Sequence, residues 1–239
     1  MFNIQNILCA VFVVLGIIAA IIYVREKNAG YTIKALALKT IASCLFLLTS
    51  LAAISKGGSG LIYGCFIIAG QIFGLLGDVW LDLKYVYRSD DVSHSFSGFK
   101  SFSTGHVFFL VGMIIRFGDA SRPLYIILGF VFGIIAGFLV VPMGKIMKLD
   151  FGRFKVISCI YGMLLFSTAG VSFALALMAG FTNPSLNILF AGAAAFAISD
   201  LVLSRTYFGT DHEKTIDFIL NYLFYYGAQF LISLSILFA

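Results

Sequence analysis

Eight long runs of apolar residues, separated by short polar spacers, constrain this 239-residue chain more than any other feature of its sequence. A helix that spans a bilayer needs about 20 predominantly apolar residues. The runs cover residues 7–24, 35–54, 61–83, 102–115, 124–141, 156–179, 186–203 and 216–238, and the fourth is expected to begin near Phe99. We therefore expect an all-α bundle of eight transmembrane helices, with residues 1–239 forming one domain.

The composition excludes most other classes of protein. Charged residues make up 11% of the chain and hydrophobic residues 61%, whereas a soluble domain carries about 25% charged residues. Too few charges remain to cover a water-facing surface, which excludes a cytosolic enzyme, a secreted disulfide scaffold and a disordered chain. The first run lacks a basic leader and a small-residue cleavage site, so we expect a membrane helix there and not a signal peptide.

Local signals predict where some helices begin and end. Pro123 and Pro184 should open helices five and seven, because the first position of a helix does not need its N–H. Pro142 should close helix five. The longest loop is expected at residues 84–99. All four cysteines lie in apolar runs without a C-x-x-C spacing, which predicts buried hydrophobic residues and neither disulfides nor a zinc site; they are Cys9, Cys44, Cys65 and Cys159.

The basic residues predict the orientation. The net charge is +5, but the basic residues sit in spacers between apolar runs, so membrane orientation explains them better than nucleic-acid binding does. The spacers after helices one, three, five and seven hold 12 of the 16, namely Arg25, Lys27, Lys34, Lys84, Arg88, Lys100, Lys145, Lys148, Arg153, Lys155, Arg205 and Lys214. The opposite side holds Lys56, Arg116 and Arg122, and Lys39 lies inside helix two. This bias predicts both termini on the non-cytoplasmic side.

Polar residues inside the apolar runs are costly and need a reason. In helix three, Gln71, Asp78 and Asp82 are seven and four residues apart, which puts them on one stripe of the helix. Helices three and seven run toward the cytoplasm in the predicted orientation, and Asp78, Asp82 and Asp200 lie near their ends. Helices two, four, six and eight begin there, and their first turns contribute Lys39, His106, Tyr161 and Tyr225. We therefore expect one polar layer near the cytoplasmic leaflet.

Several of these residues have simpler explanations. Asp82 is close to a helix end and could be solvated, and Lys39 could extend to the headgroups. His106 could be a buried histidine that joins helices. Helix eight carries a row of polar residues on one face, namely Tyr222, Tyr225, Tyr226 and Gln229. The row could be an interfacial aromatic belt, although Gln229 lies deeper and favours a lined cavity.

A carboxylate inside an apolar helix is harder to explain without a partner or a function, so Asp78 and Asp200 are the strongest candidates for catalysis. Ser199 precedes Asp200 but points in another direction, so the two are not part of a triad. His94 and His212 are expected in loops, and no H-x-x-x-H pair exists, so we expect neither a metal nor another cofactor.

Several short motifs resemble those of the YhhN-like lysoplasmalogenase family. Residues 76–81 (LGDVWL) resemble its L-G-D-x-x-L motif, and residues 98–106 match its G-x3-F-x3-H spacing. Residues 199–203 (SDLVL) are similar to its S-D-x-x-L motif, and residues 225–232 (YYGAQFLI) to its last-helix element. The family's helix-two lysine corresponds to Lys39, with Thr40 in place of the usual proline. Phe109 stands where tyrosine is commoner. The resemblance extends over most of the chain.

The resemblance implies a hydrolase that cleaves the vinyl ether of lysoplasmalogen, giving a fatty aldehyde and glycerophosphocholine or glycerophosphoethanolamine. It implies a lysophospholipid and water as partners in a bilayer, of the bacterial inner membrane or endoplasmic reticulum type. Asp78 and Asp200 would then be the acid and base, with Lys39 on the substrate phosphate. Asp82, Ser199 and the other polar residues of the layer would support them. The alternatives are a proton-coupled or lipid-binding transporter and a ceramidase-like zinc hydrolase.

The predicted orientation can be tested with reporter fusions. An enzyme that is active only outside the cytoplasm should be active when fused after Ala239 and inactive when inserted after Lys148, because the basic loops stay in the cytoplasm. A reporter that is active only in the cytoplasm should give the opposite pattern. Cytoplasmic activity of the fusion after Ala239 would overturn the orientation.

Overall fold

The computed structural model describes residues 4–30, 32–58, 60–209 and 215–239, and His212 and Lys214 lie outside these ranges. The described residues contain eight helices that are long and apolar enough to cross a membrane, which confirms the expected number and the all-α class. They are α1 (Ile4–Ala29), α2 (Ile33–Ile54), α3 (Leu61–Val86), α4 (Asp91–Phe117), α5 (Pro123–Ile146), α6 (Lys155–Met178), α7 (Pro184–Phe208) and α8 (Thr215–Ser235). Short 3-10 turns occupy Arg88–Asp90, Gly152–Phe154 and Ile236–Phe238.

Most helices extend beyond the apolar runs that predict them. The expected loop at residues 84–99 is wrong, because α3 continues to Val86 and α4 already begins at Asp91. His94 therefore lies in a helix and not in a loop, and its ring stacks on Trp80 with 5.6 Å between the ring centroids. Adding a residue to an existing helix gains a hydrogen bond, so a helix does not have to end where its apolar residues do.

The prolines follow the predictions at the helix starts but not at the end of helix five. Pro123 and Pro184 each occupy the first turn of α5 and α7, as predicted. Pro142 lies inside α5, which continues to Ile146, so the predicted end at Pro142 is wrong. A proline removes one backbone donor, and membrane helices tolerate it where neighbouring groups satisfy the freed carbonyl.

Consecutive helices pack against each other as antiparallel hairpins, α1 with α2, α3 with α4, α5 with α6 and α7 with α8. Three glycines at a spacing of four residues allow the closest of these contacts. A Cβ added at Gly129, Gly133 or Gly137 would collide with the backbone of α6. Small residues at this spacing let membrane helices approach closely.

The expected burial of the four cysteines is correct only for Cys9. Cys44 and Cys65 are exposed on the surface of the bundle, and Cys159 is half-buried. All four are free thiols. Hydropathy cannot separate the interior of a membrane bundle from its lipid-facing surface, because both environments are apolar.

The polar side chains lie in the centre of the bundle, where α2, α3 and α8 meet. Exposed leucine, isoleucine, valine and phenylalanine side chains cover the outside. The most deeply buried polar groups on the three central helices include Lys39, Gln71, Asp78, Asp82 and Gln229. This arrangement brings residues from distant parts of the sequence together at the candidate site.

Candidate active site

Asp78 of α3 is held by side chains from two other helices. Its Oδ1 lies 3.2 Å from the Lys39 Nζ of α2. Its Oδ2 accepts hydrogen bonds from the Ser43 hydroxyl at 2.7 Å and from the Tyr225 hydroxyl of α8 at 2.6 Å. With a cation on one oxygen and two donors on the other, Asp78 has the partners that a buried carboxylate requires.

Asp82, one turn further along α3, belongs to a second buried ion pair. Its Oδ1 accepts from Lys27 Nζ at 2.7 Å and from Lys39 Nζ at 3.2 Å. The Tyr23 hydroxyl donates to its Oδ2 at 2.9 Å, and Lys27 also donates to the Tyr222 hydroxyl at 2.9 Å. Asp82 is 4% exposed, so the alternative of a solvated helix-end carboxylate is wrong.

Lys39 bridges the two aspartates and does not reach the headgroups. It is 4% exposed, and its Nζ is 3.2 Å from a carboxylate oxygen of Asp78 and also of Asp82. The alternative of a lysine that extends to the surface is therefore wrong. Lys39 and Lys27 together balance the charges of Asp78 and Asp82.

Asp200 of α7 has very different surroundings. It is only partly buried, and its Oδ2 accepts a hydrogen bond from the Tyr161 hydroxyl of α6. Among the ion pairs formed by the described residues, none includes Asp200. The two predicted catalytic carboxylates thus differ in both charge environment and exposure.

One small cavity joins the two carboxylates. Asp78, Asp200, Lys39, Tyr161 and Tyr225 all line it, together with phenylalanine and leucine side chains. Its volume is about 90 Å³, enough for a few water molecules at roughly 30 Å³ each. It is much smaller than the roughly 300–1,000 Å³ of typical ligand pockets. The cavity therefore has room for water and a small chemical group, but not for a whole large ligand.

His106 lies behind the cavity wall. Its Nδ1 is 3.1 Å from the Thr168 hydroxyl of α6, and its ring packs 5.7 Å from the Tyr161 ring and 5.0 Å from the Phe196 ring, measured between centroids. Its Nε2 has no hydrogen-bond partner in the described part of the chain. His106 therefore contacts the side chain that binds Asp200, and it does not line the cavity itself.

The polar row on helix eight is buried, which disagrees with an interfacial belt. Gln229 donates to the Tyr225 hydroxyl at 3.3 Å, and Gln71 donates to the Gln229 carbonyl at 3.0 Å. Tyr222 binds Lys27, as described above. The Tyr226 hydroxyl, by contrast, has no hydrogen-bond partner among the residues that the structure describes.

Ser199 also lines the cavity, but its hydrogen bonds join two helices. Its hydroxyl donates to the Asn221 carbonyl at 3.1 Å, and the Asn221 amide donates to the Ser199 carbonyl at 2.9 Å. Within the described ranges, His, Cys, Asp and Glu form no group of three or more that could hold a metal ion.

Four residues of this site were not predicted from the sequence. Lys27 was assigned to a cytoplasmic spacer, although it lies in the last turn of α1 and is buried. Tyr23 is four residues before it, on the same face of the helix, and that spacing could have indicated a shared polar site. Ser43 and Asn221 are small polar residues in apolar runs, and the residues around them do not indicate a role in the site.

The sequence profile of the YhhN family matches residues 34–236. The chain belongs to the YhhN family. The searches of curated proteins and of solved structures found no match. The region that matches the YhhN family includes the predicted site residues from Lys39 to Gln229, whereas Tyr23 and Lys27 precede it.

The Lys27–Asp82 pair should stabilise the bundle. Lys27→Met should lower the stability by about 3–5 kcal/mol, because removal of one partner from a buried pair leaves an uncompensated charge. Adding Asp82→Asn to Lys27→Met should recover part of this loss. The measurement is unfolding of the purified protein in detergent.

Lys34→Met is the matched control, since the Lys34–Glu26 pair is equally short at 2.8 Å but the Lys34 side chain is 70% exposed. Its effect should not exceed about 1 kcal/mol. Strictly additive effects of Lys27→Met and Asp82→Asn would contradict the coupling of the two charges.

Proposed function

We propose that this member of the YhhN family is a lysoplasmalogenase-type ether hydrolase. It would cleave the vinyl ether of 1-alkenyl-glycerophosphocholine or 1-alkenyl-glycerophosphoethanolamine, releasing a fatty aldehyde. Family membership supports the general class. The observation that supports the chemistry is that two carboxylates line one small cavity. Asp78 has a lysine partner there and Asp200 a tyrosine hydroxyl.

The surroundings of the two carboxylates suggest their roles. Asp78 lies beside the Lys39 ammonium and accepts two further hydrogen bonds, which suits a charged carboxylate that acts as a base. Asp200 accepts from the Tyr161 hydroxyl and takes part in none of the ion pairs among the described residues. We assign Asp200 as the proton donor and Asp78 as the base, since different environments let two carboxyl groups divide acid and base roles.

The reaction follows from these roles. Asp200 transfers its proton to the β-carbon of the vinyl ether, and the ether oxygen stabilises the resulting cation as an oxocarbenium ion. Asp78 removes a proton from water as the water oxygen bonds to the adjacent carbon, which gives a hemiacetal. Asp200, now a carboxylate, takes the proton of the hemiacetal hydroxyl, and Asp78 gives its proton to the glycerol oxygen. The bond between the hemiacetal carbon and the glycerol oxygen breaks, which releases the aldehyde and restores both aspartates. The net change consumes one water and needs no cofactor.

The depth of the site suits a lipid substrate. Under the predicted orientation the cavity lies near the cytoplasmic leaflet, where the glycerol backbone of a lysophospholipid resides. The Tyr161, Tyr225 and Phe102 rings on its walls limit the water around the reacting carbons. The apolar walls favour the alkenyl group, and the two carboxyl groups supply the polar contacts that such pockets need.

The acid and base roles predict the effect of two near-isosteric variants. Asp78→Asn and Asp200→Asn should each remain folded and lower kcat for aldehyde release about 10²–10⁴-fold, the usual contribution of general acid–base catalysis. The assay uses purified protein in detergent with lysoplasmalogen, with and without a chelator. The pH profile of kcat/KM should be bell-shaped.

Asp119→Asn, in the loop between α4 and α5, is the control and should keep full activity. Near wild-type activity in a folded Asp78→Asn or Asp200→Asn variant would disprove the paired-carboxylate mechanism. Loss of activity with a chelator and recovery of activity with zinc would indicate metal-dependent hydrolysis and not the paired-carboxylate mechanism.

The contacts of Lys39 favour a role different from the expected one. A lysine that already bridges Asp78 and Asp82 has little freedom to bind a phosphate, so we propose that it maintains the charge of Asp78. Lys39→Met should then lower kcat with a smaller change in KM. A large rise in KM at unchanged kcat would support the phosphate role instead.

A further inference from the structure

A second and larger cavity lies between α1 and α8, on the lipid-facing side of the bundle. It has a volume of about 740 Å³ and extends from Asn28 to Val13 on α1 and from Ile219 to Leu234 on α8. Each stretch covers 15 helical steps, or about 22 Å, which exceeds half of the roughly 30 Å hydrocarbon core. We call this cavity the α1–α8 groove.

The two ends of the α1–α8 groove differ in chemistry. Its walls are apolar along most of their length, but Arg25 and Asn28 lie at one end and are exposed. A guanidinium group can bind a phosphate through two hydrogen bonds. At greater depth α1 and α8 come into contact, since a Cβ on Gly16 would collide with the Phe230 ring. The groove therefore suits a lipid with a phosphate headgroup and one hydrocarbon chain.

Gly227, in the wall of the α1–α8 groove, keeps it open. A Cβ added there would meet no atom within 4 Å, whereas every other glycine inside the eight described helices has a neighbouring atom within 3.3 Å of its added Cβ. Those glycines permit close packing between helices, but packing does not explain Gly227. A larger side chain at this position would project into the groove.

Tyr226 lies in the wall of the α1–α8 groove and carries a buried hydroxyl without a partner among the described residues. Tyr226 lines the α1–α8 groove and is 3% exposed. Its hydroxyl has no hydrogen-bond partner among the described residues, and buried polar groups nearly always have one. Because the hydroxyl itself is buried, a glycerol or ether oxygen of a bound molecule would reach it when the adjacent Tyr222 ring, 6.2 Å from the Tyr226 ring between centroids, moves aside.

Tyr222 connects the α1–α8 groove with the aspartate cavity, because its side chain lines both. The aspartate cavity, at about 90 Å³, cannot hold a hydrocarbon chain. The groove has a volume within the roughly 300–1,000 Å³ of ligand pockets. The two cavities are therefore complementary in size and share one wall.

We propose that the α1–α8 groove binds the hydrocarbon chain of the lysophospholipid substrate, with its phosphate at Arg25 and a glycerol or ether oxygen at Tyr226. This inference rests on the proposed function for the identity of the lipid. Movement of the Tyr222 side chain would open the wall and let the vinyl ether reach Asp78 and Asp200. The groove thus selects lipids with a single chain.

A bulky side chain in the groove tests the proposal. Gly227→Leu should raise KM for lysoplasmalogen at least tenfold, which corresponds to about 1.4 kcal/mol, because the leucine occupies space that the hydrocarbon chain would fill. Ala191→Leu adds a leucine at an exposed position of α7 outside the groove and should leave KM unchanged. An equal KM in Gly227→Leu and wild type would overturn the proposal.

Tyr226→Phe is a milder second variant. It removes only the unpartnered hydroxyl, so thermal stability without lipid should be equal or higher, because no hydrogen bond is lost. KM should nevertheless rise several-fold, since the ligand loses a partner. An unchanged KM would contradict the assigned contact, and a large fall in stability would show that the hydroxyl has a structural role instead.

A binding measurement separates this proposal from the proposed function. The probe is a saturated lysophosphatidylcholine with a photoreactive diazirine in its chain, which has no vinyl ether to cleave. Crosslinks should form on groove residues of α1 and α8, disappear in Gly227→Leu and persist in Ala191→Leu. Crosslinks confined to other helices would refute the groove. Groove crosslinks in a protein that releases no aldehyde from lysoplasmalogen would refute the proposed hydrolase and still support the lipid site.

Discussion

Four charges inside an apolar bundle can be stable only because they neutralise one another. Lys27, Lys39, Asp78 and Asp82 come from three helices and form a chain of ion pairs with distances of 2.7–3.2 Å. Each of these ions loses its hydration, with an effective penalty of several kcal/mol that only close partners can offset. The cluster therefore requires α1, α2 and α3 to meet at one depth, and the position of Asp78 in the cavity depends on that meeting.

The same cluster creates the difference between the two candidate catalytic carboxylates. Asp78 belongs to the ion-pair chain, and Ser43 and Tyr225 fix its other oxygen. Asp200 lines the same cavity from α7, and among the described residues its hydrogen-bond partner is the Tyr161 hydroxyl. A carboxylate in a neutralised cluster and a carboxyl group outside it can take different roles in one reaction. This contrast makes acid–base chemistry at the cavity physically reasonable without invoking any group beyond the chain and water.

Much of this arrangement could be predicted from the sequence. Apolar run length identified the eight helices, and the depth of the polar residues within them identified Lys39, Asp78, Asp200 and Tyr225 as parts of one layer. Alternation of helix direction was sufficient for that inference, because it places the ends of odd-numbered helices beside the starts of even-numbered ones. The motif resemblance agreed with the family match.

The features that could not be predicted depend on which face of each helix points into the bundle, and hydropathy does not encode that face. Lys27 looked like a loop residue because it follows two charged residues, yet α1 continues past it and directs it inward. The exposed cysteines Cys44 and Cys65 show the converse case, in which an apolar residue faces lipid. The α1–α8 groove was unpredictable for the same reason, since it depends on an open space beside Gly227.

The central claim is that an enzyme carboxyl group delivers a proton to carbon, and hydrolysis in heavy water tests it most directly. The fatty aldehyde should be reduced immediately to the alcohol. Mass spectrometry then gives its deuterium content, and NMR of a chiral ester gives the configuration at carbon 2. Our account predicts one deuterium at carbon 2 of the chain, added to a single face because the donor is fixed in the cavity. Aldehyde that carries no deuterium at carbon 2 would contradict protonation of the vinyl ether and, with it, the proposed mechanism.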